Sequence, residues 1–182
     1  MAEPAVHELL KSEPGVEVVW RAFELRPEPV PVPDAQGEYL QTVWRESVYP
    51  LAARLGMPMR LPPVKPRSRL AHQAAHWARA EGRFDEMNAA VFRAYFERGE
   101  DIGRAEVLAA LAAGLGLDAE RLRAALESRE FEPAVLDDEL EARDLGVGAV
   151  PAFVAGRRAA LSGVQTAENL RRLVAHARAL ET

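Results

Sequence analysis

The chain has 182 residues, with 48% hydrophobic and 28% charged side chains and a net charge of −5 at pH 7. That is one compact domain, or one domain carrying an insertion, with enough chain to bury a core without a disulfide or metal staple. The absence of cysteine excludes a disulfide framework and any protein-borne thiol chemistry, and the acidic balance argues against a nucleic-acid footprint.

Pro4 to Lys11 opens the chain as a short helix, with Val6, Leu9 and Leu10 on one face. Pro14-Gly15 ends it in a turn. Val16-Glu17-Val18-Val19-Trp20-Arg21-Ala22-Phe23 is β-branched and aromatic with partial alternation, which predicts a strand. Pro27, Pro29, Pro31 and Pro33 make the next stretch a stiff extended connection.

Almost everything from Gly37 to Leu145 reads as helix. Tyr39, Val43, Val48, Leu51, Ala52 and Leu55 form a loose stripe with a bend expected at Pro50. The proline-rich run Met57 to Pro66 is irregular. Helices are predicted over Ser68–Glu81, Phe84–Arg98, Arg104–Gly114, Asp118–Ser128 and Pro133–Leu145. Ser68 and Asp118 are the expected N-caps, and Gly82 and Gly114 the expected stops. Val147 to Val154, the turn at Gly156-Arg157 and Ala159 to Leu161 predict a β-hairpin. Thr166 then caps a last helix carrying Leu170, Leu173, Val174 and Leu180.

Four segments carry a resemblance. They are Val18–Pro27; Tyr95-Phe96-Glu97-Arg98-Gly99-Glu100-Asp101-Ile102; Gly146-Val147-Gly148-Ala149-Val150-Pro151-Ala152-Phe153-Val154; and Ser162-Gly163-Val164-Gln165. In this order and spacing they resemble the DsbA-like thioredoxin-fold family, FrnE type, whose relatives include 2-hydroxychromene-2-carboxylate isomerase and the kappa-class glutathione transferases. The resemblance implies an α/β fold, thioredoxin-like, with a large all-helical insertion. The thioredoxin-like part is expected over 1–34 and 146–182, and the insertion over 35–145. The family's first core strand and the Cys-x-x-Cys that follows it are absent. Met1 to Val6 aligns with the body of the first helix instead. Either the true start lies upstream or the domain lacks its first strand. Truncation is the favoured explanation, because the lost strand would lie centrally and leave Val16–Phe23 unpaired on one side.

The resemblance also implies a thiol–disulfide oxidoreductase or dithiol isomerase, here without catalytic cysteines. The alternatives are a glutathione-dependent isomerase or transferase, and a non-catalytic peptide-binding module. It places a cis peptide at Val150–Pro151, where the Val150 backbone would meet an extended peptide or glutathione. Ser162, Gly163 and Gln165, before the last helix, are the further substrate-binding candidates; a plain turn with an N-cap is the competing reading. The expected partners are a peptide or small thiol substrate and a second copy of the chain, with no nucleic acid and no membrane. No cofactor is expected beyond glutathione as a co-substrate. The location expected is cytoplasmic, since the N-terminus has no basic, apolar leader pattern.

Other candidates read more simply. His72 and His76 stand one helical turn apart, as two metal ligands can, but no third ligand is evident, so a helix face carrying His72, His76 and Arg79 toward groove or solvent is expected. Trp20 and Phe23 are expected in the core rather than in a groove. The stripe Phe84, Met87, Val91, Phe92, Tyr95 and Phe96 reads as core, and Glu97, Glu100 and Asp101 as a solvated helix end. Arg67–Arg69 and Arg171–Arg172 read as solvated helix faces.

Overall fold

The computed structural model describes residues 1–180, so the last two residues of the expected 146–182 segment lie outside the described residues. Helix α1 spans Glu3–Ser12. After an extended stretch come α2 (Glu38–Val43), a π-helical turn at Trp44–Val48 and α3 (Tyr49–Arg54). Helices α4 (Arg69–Ala80), α5 (Phe84–Arg93, prolonged by a π-helical turn to Arg98), α6 (Ala105–Gly114), α7 (Ala119–Glu127) and α8 (Glu132–Asp144) follow. Strands β1 (Ala152–Ala155) and β2 (Ala159–Ser162) form an antiparallel hairpin, and α9 (Ala167–Ala179) closes the chain. The fold is mostly helical with a two-stranded sheet, an α/β arrangement with a helical insertion.

Local chemistry accounts for most boundaries. Asp118 Oδ1 accepts from the Arg121 N–H at 2.9 Å and Thr166 Oγ1 from the Asn169 N–H at 3.2 Å, each relieving a free donor of a first helical turn. Gly82 takes φ +69° and ends α4, where a Cβ would be strained. Two expectations need correcting. Ser68 makes no side-chain cap, because its backbone is already helical (φ −89°, ψ −2°), which turns the hydroxyl away from the first free N–H groups. Gly114 lies inside α6, and the left-handed residue beyond the helix is Gly116 (φ +73°). The bend expected at Pro50 is a π-helical turn just before it: Pro50 has no N–H, and the Tyr49 N–H reaches back five residues to the Trp44 carbonyl.

Two clusters of buried side chains result. The larger lies within α4 to α7 and includes Trp77, Met87, Leu108 and Leu122, all at most 1% exposed. The smaller joins Val6 and Leu9 of α1 to Leu170 of α9, with Val16, Val18, Trp20, Phe153 and Val174 packed against it. Of the stripe expected in the core, Phe92 is 47% exposed, stacked on Phe96 rather than enclosed. Arg69 is not a solvated side chain either: its charge is taken up by Glu24 and Glu132.

Candidate functional site: an extended segment with one sealed edge

Residues 16–23 are extended, yet they form no ladder with β1 or with any other strand among the described residues. The strand predicted there is therefore corrected to an unpaired extended segment. Its side-chain pattern is that of a strand: Val16, Val18, Trp20 and Ala22 turn inward while Glu17, Val19 and Arg21 are exposed. Trp20 thus joins the packed cluster, as expected.

Backbone groups of alternate residues point to the same edge of an extended chain. Trp20 and Ala22 therefore share one edge, and Glu17, Val19 and Arg21 the other. The first edge is sealed by side chains of α4 and α8. Arg79 Nη2 donates to the Trp20 carbonyl at 2.5 Å, and the Ala22 N–H donates to Asp138 Oδ2 at 2.8 Å. Asp138, 3% exposed, also accepts from Arg21 Nη1 and lies 2.9 Å from His76 Nε2. Beside it, the buried Glu24 pairs with Arg69, which also reaches Glu132 at 3.2 Å.

The electrostatics follow from this packing. Burial pushes the Asp138 carboxyl up, but hydrogen bonds from His76, the Ala22 N–H and Arg21 outweigh it and leave it below the usual aspartate value. Burial lowers His72, against the pull of Glu24. Glu139 is raised by burial and by the neighbouring Glu24. The face carrying His72, His76 and Arg79 thus meets the extended segment rather than solvent. No cluster of three metal-ligating side chains occurs among the described residues.

On β1 the parity is set by Gly163, whose N–H donates to the Pro151 carbonyl at 2.8 Å. With the pairs Phe153↔Leu161 and Ala155↔Ala159 in the same phase, Ala152 and Val154 aim their backbone groups away from β2. The Val150–Pro151 peptide is cis, and Val150 is 42% exposed just before the strand. Two open backbone edges thus remain, one on residues 17–21 and one on β1, both on segments whose inward side chains pack against α1 and α9.

The remaining candidates lie at the same end of the hairpin as Pro151, with Ser162 opposite Ala152 and the Gly163 N–H bonded to the Pro151 carbonyl. Ser162 ends β2, and Gly163 takes φ +80°. Gln165 donates to the Ser162 carbonyl at 2.7 Å and accepts from Asn169 at 3.0 Å, so its amide is occupied within the turn. A groove of about 490 Å3 opens along β2 and α9, lined by Arg158, Leu161, Arg172 and His176 among others.

The family model of the DSBA-like thioredoxin domain matches residues 1–175. The chain belongs to this family. It is 34% identical over 162 residues to the uncharacterized protein YwbO of Bacillus subtilis (strain 168), covering 86% of this chain and 80% of that one. A Streptomyces coelicolor structure described as a probable DsbA oxidoreductase superposes with a TM-score of 0.81 at 28% identity, covering 98% of this chain and 83% of that one. A Nitrosomonas europaea structure described as a candidate protein disulfide isomerase shares the fold, with a TM-score of 0.68 at 18% identity over 98% of this chain and 90% of that one. The chain carries no cysteine. No helix among the described residues is long and apolar enough to cross a membrane.

Sequence reasoning missed Asp138, Glu24 and Arg79 as a group. Their only sequence signal is a strand-like run without a neighbouring partner strand, which demands hydrogen-bonding groups from elsewhere.

Proposed function

We propose that this chain is the substrate-holding part of a DsbA-like thiol–disulfide oxidoreductase or dithiol isomerase of the FrnE type, and that alone it binds extended polypeptide without exchanging disulfides. Exchange requires a thiolate attacking sulfur, and the 182 residues supply none. The observation that supports the reading is the pair of open edges on residues 17–21 and on β1. An added strand gains main-chain hydrogen bonds at either edge. Val150, exposed beside Pro151, is the backbone that the family resemblance assigns to a substrate main chain.

The test is to fuse a β-strand and a Cys-x-x-Cys ahead of Met1 and to follow insulin reduction. Turnover well above that of the unfused chain is expected; a well-folded fusion with no turnover overturns the reading. The glutathione-dependent reading has less support, since the Gln165 amide is already held by the Ser162 carbonyl and Asn169. Calorimetry with millimolar glutathione separates the two, and absence of heat removes the second.

A further inference from the structure

The hairpin leaves a further edge, on the side of β2 turned away from β1. The Gly163 bond to Pro151 and the pairs Phe153↔Leu161 and Ala155↔Ala159 put the ladder bonds of β2 on Ala159 and Leu161. Ala160 and Ser162 therefore aim their backbone groups outward. Gln165 Nε2 occupies the Ser162 carbonyl. The Ala160 N–H and carbonyl and the Ser162 N–H meet no strand among the described residues.

The groove of about 490 Å3 runs along this strand, and Ala160 lines it. Arg172, Leu173 and His176 recur at helical spacing, so one face of α9 forms the opposite wall. Leu161 and the buried Leu173 give the groove its apolar part. Its polar part is Arg158, Arg172 and His176, and no acidic side chain lines it, although the whole chain carries a net charge of −5. Arg172 pairs with Glu168 one turn earlier on α9, and Arg158 Nη1 donates to the Leu180 carbonyl. Those contacts use only part of the five N–H donors that each guanidinium carries, and His176 offers a donor in either protonation state.

We propose that the groove between β2 and α9 takes an extended acidic peptide of a partner protein, added to the outer edge of β2 as a strand. An open edge alone accepts any strand, and a basic rim alone accepts any anion. Side by side they select a guest with a free main chain, carboxylates for Arg158, Arg172 and His176, and apolar side chains for Leu161 and Leu173. The site goes beyond the functional reading above, which uses the edges at residues 17–21 and on β1. The two stand or fall separately.

The experiment is a 1H–15N NMR titration of the full chain with a short peptide of mixed Glu and Val, and with its Lys-for-Glu counterpart. The Glu peptide is expected to shift the amides of Ala160, Ser162, Leu173 and His176, and the Lys peptide to leave them in place. Arg172→Glu, at an exposed position, is expected to weaken binding about tenfold, because it turns an attraction into a repulsion. Raising NaCl from about 0.1 M to about 1 M shortens the screening length from about 10 Å to about 3 Å and is expected to weaken binding about fivefold. Methylating the backbone nitrogens of the peptide removes its donors and is expected to abolish the shifts. No shift at Ala160 with the Glu peptide at millimolar concentration overturns the proposal. Shifts confined to Val19 and Val154 overturn it too, and leave the functional reading intact. Equal binding of the methylated peptide, of glutarate or of an octathymidylate overturns strand addition by an acidic peptide. A wild-type dimer in light scattering that Arg172→Glu dissolves overturns the partner peptide in favour of a second copy. Arg172→Gln replaces the reversal if circular dichroism shows it unfolded, and the wild-type titration stands independently.

Discussion

Removing the Asp138 carboxylate leaves the Ala22 N–H without its acceptor inside the protein, and an orphaned buried donor costs about 1–3 kcal/mol. Asp138→Ala is therefore expected to lower the unfolding free energy by about 2 kcal/mol in urea denaturation. Arg21 adds little to that loss, because its side chain is 55% exposed and water can solvate it. The same junction gives the folded protein a pH dependence. His72 is lowered by burial, so unfolding exposes a group that binds protons more readily, and stability declines as the pH falls below about 6.5. Asp138 is held below its ordinary value of 3.8, so its contribution is present above that value and is lost as the pH falls further through the folded-state value. Calorimetric melting between pH 8 and 3 is expected to show both declines, with His72→Gln removing the upper one. The pair His72 and His76 is visible in the sequence through its spacing. Their carboxylate is not, because Asp138 stands 62 residues from His76 and only the packing of α8 on α4 brings it there.

Elements were legible where a single side chain decides them. The caps at Asp118 and Thr166 and the stop at Gly82 need only a local oxygen or a missing Cβ. Thr166→Ala is expected to cost about 1 kcal/mol, read as a shift in the urea midpoint. Gly99 is a harder constraint: it combines φ +71° with a Cβ position only 2.8 Å from the Pro63 ring. Gly99→Ala is expected to destabilise by about 2–4 kcal/mol, left-handed strain adding to overpacking against the proline-rich segment. Gly82→Ala carries strain but meets no neighbour within 4 Å, and is expected to cost about 1–2 kcal/mol. A chemical-denaturation series of the three variants checks the order. The Val16–Phe23 run shows where such reading stops. Its alternation correctly divides inward from outward residues, but a ladder is a property of two chains of backbone, and the sequence of one cannot supply the other.

Across the whole molecule the two buried clusters are unequal. The helical insertion encloses Trp77, Met87, Leu108 and Leu122, whereas the α1–α9 side encloses Val6, Leu9 and Leu170 around an unpaired segment. Fewer buried apolar contacts and open backbone edges mark a region that opens before the rest. Hydrogen-exchange mass spectrometry is expected to show residues 1–25 and 150–180 exchanging ahead of 69–144. Equal protection of both would contradict the unequal cores. The overall order of helix, extended segment, helical insertion, hairpin and helix was readable because each piece declares its own periodicity. The side-chain seal was not, since it depends on how the insertion folds back.

That seal also limits which edges of the protein can take an added strand. A strand added to an ordinary free edge exposes a new edge of its own, and addition can repeat into a fibre. Here the far side of residues 20–22 is closed by Arg79 and Asp138, and the far side of β1 by β2. Strand addition to these two segments is left the opposite edges, at residues 17–21 and on the outer side of β1.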